Sequence, residues 1–291
     1  MDKSVTVIVP TYNEEGSIPL FFPKLADFCQ KRSWKLIIVN DCSTDFTAKL
    51  LEDYSERENI QIIRHKVNKG YGAAIKTGIK EAKTDLCLTI DADGQHTLED
   101  MDKLYRRIIL EDADMVMGSR KGQKSVTAFK GFGKWIIRTF AKLMMPVKIY
   151  DLNTGMRIFQ TELAQQVIHQ CPDGMSFSDT FTLIFINYKH FVLEEPITIL
   201  PRTTGKSKTH LKTAFETLME IINIIVMFSP LRIFLPLAAL FFVAGFLWGI
   251  RMILLDKGIT SGSAFMMLMG VLLFLLGLIT EQISLIRKNK L

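Results

Sequence analysis

Two aspartates one residue apart, Asp91 and Asp93, follow an apolar run at residues 86–90. In extended backbone, side chains two positions apart leave on the same side, so both carboxylates would face one point. Two like charges held together call for a cation. Oxygen donors select a hard divalent ion such as Mg²⁺ or Mn²⁺, with phosphate oxygens completing its shell. Gln95 offers a neutral oxygen to the same place, and His96 is an alternative ligand. A bare Asp-x-Asp is more often a solvated turn. What lifts this one is its position along the chain.

The elements that would position it alternate. Apolar, β-branched runs at 5–9, 35–39, 60–64 and 86–90 read as strands. Between them, 18–30 is helical, a helix capped by Ser43 or Thr44 continues to Leu51, and Gly70-Tyr71-Gly72 opens one through Ala82. This alternation predicts an α/β fold: a mostly parallel, Rossmann-like sheet with helices on both faces. Ligands of such sheets bind beyond the carboxyl ends of the strands. Asn40-Asp41 and Asp91-Ala92-Asp93 both fall there. Further on the pattern loosens. Residues 151–159 and 191–199 read as strands, and 129–145 as an amphipathic helix with Lys130, Lys134, Arg138 and Lys142 on one face.

The C-terminal part is different in kind. Residues 233–250 and 264–279 carry no charged side chain, and with flanks each is long enough to cross a bilayer. The short polar loop DKGITSGS joins them into a hairpin. Residues 211–228 are apolar on one face and suit an interfacial helix. The division expected is therefore 1–208 catalytic, 209–230 juxtamembrane, and 231–291 transmembrane hairpin with a short tail. Lys206, Lys208, Lys212 and Arg232 precede the first span, and Arg287, Lys288 and Lys290 follow the second. Positive charge marks the cytosolic side, so both ends and the catalytic part are expected to be cytosolic, on a cell membrane. Gly245, Gly249, Gly270 and Gly277 leave room for packing between subunits, a homo-oligomer.

Bulk composition agrees. The chain has 291 residues and a net charge of +6. That charge suits a membrane surface or a phosphorylated ligand, and no basic-aromatic module supports nucleic acid. Cys29, Cys42, Cys87 and Cys171 are scattered and read as reduced thiols rather than zinc ligands or a disulfide framework. MDKSVTVIVP runs directly into a strand and is not a signal peptide.

Seven short motifs stand in order. They are Pro10-Thr11-Tyr12-Asn13-Glu14, Asn40-Asp41 with Ser43 and Asp45, Asn68-Lys69-Gly70-Tyr71-Gly72, and Asp91-Ala92-Asp93-Gly94-Gln95-His96. Gly118-Ser119-Arg120, Thr154-Gly155-Met156-Arg157, and Arg202 with Gly205-Lys206-Ser207-Lys208 follow. Together they resemble the family 2 glycosyltransferases of the GT-A fold, in the branch of dolichol-phosphate mannose synthases and bacterial polyprenyl-phosphate glycosyltransferases. The resemblance covers roughly residues 4–210, and the hairpin resembles the bacterial subgroup.

The resemblance implies transfer of a sugar from a UDP- or GDP-sugar to a polyprenyl phosphate. It implies that Pro10, Tyr12 and Glu14 line the nucleotide pocket, joined by Lys69 and Gly72, and that Asp41 accepts the imide N–H of the base. Asp91, Asp93 and Gln95 would hold Mg²⁺ or Mn²⁺ on the donor diphosphate. Arg120, Arg138, Arg157, Arg202, Ser207 and Lys208 would surround the acceptor phosphate and the transferred charge. Three positions depart from the family pattern: Asn40 replaces an acid, Cys42 a frequent glycine, and Met156 a frequent aromatic. A lipid phosphate is ionised near pH 7, so it needs cations to approach the donor rather than a strong base. Its single displacement would invert the anomeric centre. A processive polysaccharide synthase would bring more spans and a Gln-x-x-Arg-Trp motif. A nucleotidyltransferase would bring a glycine-rich basic loop after the first strand, where this chain has PTYNEE. A membrane scaffold would have no use for the two aspartates.

Overall fold

The computed structural model describes residues 2–120, 149, 151–152, 154–200, 226 and 230–288. They fall into two units, residues 2–200 and the C-terminal hairpin.

The first unit is built on β1 (Val5–Thr11), whose seven residues are all buried. A strand covered on both faces has to be apolar throughout rather than alternating, and VTVIVPT nearly is. It lies between β2 (Lys35–Asn40) and β4 (Leu86–Thr89), parallel to both, and β3 (Ile60–Arg64) extends the sheet beyond β2. On the other side β6 (Arg157–Gln160) runs antiparallel to β4 and to β5 (Met115–Ser119), and β7 (Val192–Pro196) pairs parallel with β5. The order is β3-β2-β1-β4-β6-β5-β7. The sheet is thus mostly parallel, as expected, with one reversed strand. Residues 151–159 were expected to be a strand. Only Arg157–Gln160 is one, because Gly155 and the residues before it turn beneath the site.

Helices cover both faces. On one side α1 (Ile18–Lys31) and α4 (Leu98–Glu111) bury Phe22, Leu25, Leu104 and Ile108 against Val5, Val7, Leu36 and Ile38. Each fully buried aliphatic or aromatic side chain on this face contributes roughly 1.5–3 kcal/mol. On the other side α3 (Tyr71–Glu81) lies so close to β1 that a Cβ on Gly78 would overlap Ile8. Phe159, Phe181 and Phe185 pack edge to face beneath α6 (Phe177–Asn187), which follows the short α5 (Thr161–Val167). The helix α2 (Thr47–Glu52) is held at its start by Asp45, whose carboxylate accepts the Thr47 N–H at 3.0 Å, rather than by Ser43 or Thr44. Thr97 caps α4 by accepting from Asp100 N–H at 3.2 Å.

The second unit is a pair of helices, α7 (Leu231–Leu254) and α8 (Ser261–Lys288). Both are long and apolar enough to cross a membrane, and only 17% of each span is buried. A soluble protein would cover these faces; here Leu240, Phe246, Leu247, Phe265 and Leu276 point outward. The glycines expected between subunits are used within the hairpin. A Cβ on Gly245 would meet Met267 N at 2.8 Å, one on Gly270 would meet Phe242 Cβ at 2.8 Å, and one on Gly277 would meet Phe234 Cβ at 2.7 Å. Gly249 sits against Ser263 in the same seam. Small residues let the two backbones approach closely. The stretches 129–145 and 211–225 lie outside the described residues.

Candidate active site

A cleft of about 530 Å³ opens at the carboxyl ends of β1, β2 and β4. Its lining includes Pro10, Tyr12, Glu14, Asp41, Asn68, Tyr71, Asp91, Asp93, Gly155, Met175 and Ser178. Six residues read from the sequence as ligands of a nucleotide or a metal therefore come together here: Pro10, Tyr12, Glu14, Asp41, Asp91 and Asp93. Tyr12 leaves 46% of its surface exposed, so its ring is a face on offer rather than a core contact.

Asp91 and Asp93 do not leave an extended strand. β4 ends at Thr89, and Ala92, Asp93 and Gly94 form a turn with Gly94 at φ +69°, where a side chain would be strained. Asp93 also accepts the Gln95 N–H at 3.1 Å, which fixes the turn. Both carboxylates nevertheless line the one cleft, brought there by the turn rather than by strand periodicity.

Asp91 is held in place by its neighbours. The Tyr71 hydroxyl donates to Oδ1 at 3.0 Å, and His96 Nε2 stands 3.8 Å from Oδ2. Burial raises the pKa of this carboxyl, but the bonds and charge of His96, Tyr71 and Arg157 outweigh it and hold Asp91 below the usual carboxylate range. Burial and the neighbouring carboxylate push Tyr71 well above the usual phenol value, so it stays a donor. Gly155 completes the arrangement. A Cβ there would overlap the carboxylate, with Asp91 Cγ at 2.5 Å.

An ionised carboxylate with its back bonded and its front open, beside a second one, fits a divalent cation whose other positions come from phosphate and water. Gln95 does not join them in the cleft lining; its amide nitrogen donates to Leu200 O at 3.2 Å. Among the described residues no cluster of three acidic, histidine or cysteine side chains forms.

Several expected residues take other positions. Arg157 is 1% exposed. Its guanidinium donates to Ser178 O at 2.6 Å, Leu152 O and Thr182 Oγ1 at 3.3 Å, and the Thr154 carbonyl. It stands near Asp91 but outside the cleft lining, because β6 carries it into the core. Burial draws its pKa below the usual arginine range, opposed by the charges of Tyr71, Asp179, Asp91 and Asp151. Arg120 is half exposed but forks onto Asp151 at 2.6 and 2.7 Å, outside the cleft lining. Lys69 contributes its backbone N–H to Asp41, and Gly72 is buried where a Cβ would meet Pro172 O at 2.5 Å. Arg138, Arg202, Ser207 and Lys208 lie outside the described residues.

Asp41 is also not the open acceptor the sequence suggests. It is 3% exposed and takes Lys69 N–H at 2.9 Å, Gly70 N–H at 2.7 Å and the His65 ring at 2.6 Å. Tyr71, Gly155, Ser178 and His65 acquire roles that sequence reasoning did not assign. Tyr71 and Gly155 stood inside quoted motifs, which was the available signal. Ser178 and His65 had none.

A mostly parallel α/β sheet with an acidic, turn-borne pair at its carboxyl edge defines a nucleotide-sugar-type cleft of the GT-A class. Residues 6–169 match glycosyl transferase family 2, and the chain belongs to that family. Residues 229–286 match the GtrB C-terminal hairpin. An uncharacterized protein of Methanocaldococcus jannaschii is 30% identical over 228 residues, 75% of this chain and 90% of that one. The undecaprenyl-phosphate 4-deoxy-4-formamido-L-arabinose transferase of Proteus mirabilis is 26% identical over 97% of this chain and 89% of its own length. The same fold is seen in glucosyl-3-phosphoglycerate synthase from Mycobacterium tuberculosis, solved with Mn²⁺, UDP-glucose and phosphoglyceric acid. Its TM-score is 0.59 at 14% identity, over 77% of this chain and 80% of that one.

Proposed function

We propose that this enzyme moves a sugar from a nucleoside-diphosphate sugar to a polyprenyl phosphate at a membrane surface, with inversion at the anomeric carbon. The observation that carries the reading is the pairing of the Asp91/Asp93 cleft with a GtrB-type apolar hairpin in one chain. The acceptor class is also that of the Proteus mirabilis relative. Asp91 and Asp93 would hold a Mg²⁺ or Mn²⁺ ion. When bound, that ion offsets the charge growing on the leaving diphosphate.

The rest of the chemistry falls to the chain's own groups. Tyr12 and Asp41 at one end of the cleft would receive the base. Asp91, oriented by Tyr71 and His96, would face the diphosphate at the other end. A phosphate oxygen of the lipid forms the new bond to the anomeric carbon as the bond to the nucleotide breaks, so no proton has to be removed first. The acceptor's charge calls for cations and a hydrogen-bond donor, and Arg202, Lys208 and Arg138 are proposed for the first role and Ser207 for the second on sequence grounds. Arginine's planar fork suits a phosphate best. The flanking Lys and Arg residues support a two-span topology with the catalytic unit on the cytosolic side.

One experiment tests transfer and orientation together. Inverted and right-side-out vesicles of cells overproducing the chain are given labelled UDP- or GDP-sugars, and lipid extracts are counted. Transfer to undecaprenyl phosphate in inverted vesicles only, lost in EDTA, is expected. Transfer to the free alcohol at an equal rate, or none to the phosphate with any donor, would contradict the proposal.

A further inference from the structure

Asp41 and Asp91 lie just past the carboxyl ends of β2 and β4, and β1 alone separates those strands. At about 4.8 Å per strand the strand ends that carry them are about 10 Å apart along the cleft. If the diphosphate lies at Asp91, as in the reading above on which this inference rests, the base lies toward Asp41, Tyr12 and Asn68.

What matters there is how much of Asp41 remains to be used. A carboxylate has about four lone-pair directions. Oδ1 accepts from both His65 Nδ1 at 2.6 Å and Lys69 N–H at 2.9 Å, and Oδ2 accepts from Gly70 N–H at 2.7 Å. One direction is left, and it is on Oδ2. The two nucleobases that carry an imide N–H make different demands. Uracil presents a single N–H between two carbonyls. Guanine presents its ring N–H and the neighbouring amine together, a pair of donors that pairs best with both oxygens of a carboxylate.

His65 is what closes Oδ1. The ring is buried with only 6% exposed. It is gripped at both nitrogens: Nε2 shares a hydrogen bond of 2.9 Å with the Thr77 hydroxyl, which itself reaches Ala73 O at 3.0 Å on α3. The ring therefore cannot swing away from Asp41 without breaking a second bond. Lys69 and Gly70 donate through their backbone N–H groups. His65 is the side-chain member of the set, and it lies outside the cleft lining.

We infer that His65 is a specificity-determining positioning residue: by occupying Oδ1 of Asp41 it leaves room for one N–H from the base, favouring uracil over guanine. An unmatched buried donor costs roughly 5- to 150-fold in affinity. The test is calorimetric titration of UDP and of GDP, each with Mn²⁺, into the full chain in detergent. The wild type is expected to bind UDP at least about tenfold tighter than GDP. His65→Asn, whose amide nitrogen can stand where Nδ1 stood, should keep most of that ratio. His65→Leu frees Oδ1 and should bring the ratio close to one, as should His65→Gln, whose amide reaches Thr77 instead. Because two variants probe the loss, misfolding of one leaves the other. Equal affinities in the wild type, or an unchanged ratio in a folded His65→Gln protein, would overturn the inference alone. Binding of neither nucleotide by the wild type would overturn the glycosyl-transfer reading and the inference with it.

Discussion

Asp41 and Asp91 are the same residue type at the same kind of place, just past the carboxyl end of a strand in one sheet. Their surroundings make them different groups. Asp41 is shut in by three donors of its own chain and is 3% exposed. Asp91 is bonded from behind by Tyr71 and faced by His96, and about a third of its side chain, 33%, is open to the cleft. The lesson is that a carboxylate's task is set by the share of its lone pairs the fold has already used. The first organises a loop and offers one remaining acceptor. The second keeps an anionic face for a ligand.

The contrast can be broken from the Asp91 side. Gly155→Ala should have the larger effect, because the new Cβ would occupy the space of the Asp91 carboxylate. Displacing a metal-facing ligand through its support typically costs 10- to 100-fold, so transfer should fall by about that factor. A thermal melt checks the accompanying overpacking, which costs about 1–3 kcal/mol. Wild-type turnover in Gly155→Ala would mean that Asp91 is free to move without consequence. Tyr71→Phe removes only one hydrogen bond to Oδ1 and should weaken apparent Mn²⁺ affinity by about tenfold, near the lower end of the same range. Since Tyr71 remains protonated well past the usual phenol value, the deficit should be the same across neutral and mildly alkaline pH. Mn²⁺ titrations of nucleotide binding at several pH values would show this, and a deficit that vanishes as pH rises would contradict it.

Much of the fold was legible because its signals are local. The runs around Val7, Ile37 and Leu88 are apolar enough to be strands covered on both sides, and the helices between them begin at turn residues. The reversed strand β6 was not legible, since pairing direction depends on partners far along the chain. The cleft was legible as a set of residue types, Pro10, Tyr12, Glu14, Asp41, Asp91 and Asp93. Its internal bonding was not. Nothing in the sequence says that Arg157 turns inward among carbonyls, that Arg120 is matched to Asp151, or that His65 reaches Asp41 across 24 residues. Those assignments need the register of β2, β3 and β6. The hairpin shows the same division: its apolar length is plain from composition, but which helix its glycines face is not.

The claim that these two carboxylates divide the work is tested most directly by nucleotide titration with and without Mn²⁺. Three proteins are compared: the wild type, Asp91→Asn and Asp41→Asn. Asn keeps the shape and removes the charge. Asp91→Asn should lose the Mn²⁺ enhancement of UDP binding while melting close to the wild type. Asp41→Asn should bind UDP more weakly and melt earlier, because it places an amide against donors that need an acceptor, yet it should keep the enhancement by Mn²⁺. Loss of the enhancement in Asp41→Asn, or its survival in Asp91→Asn, would contradict the account.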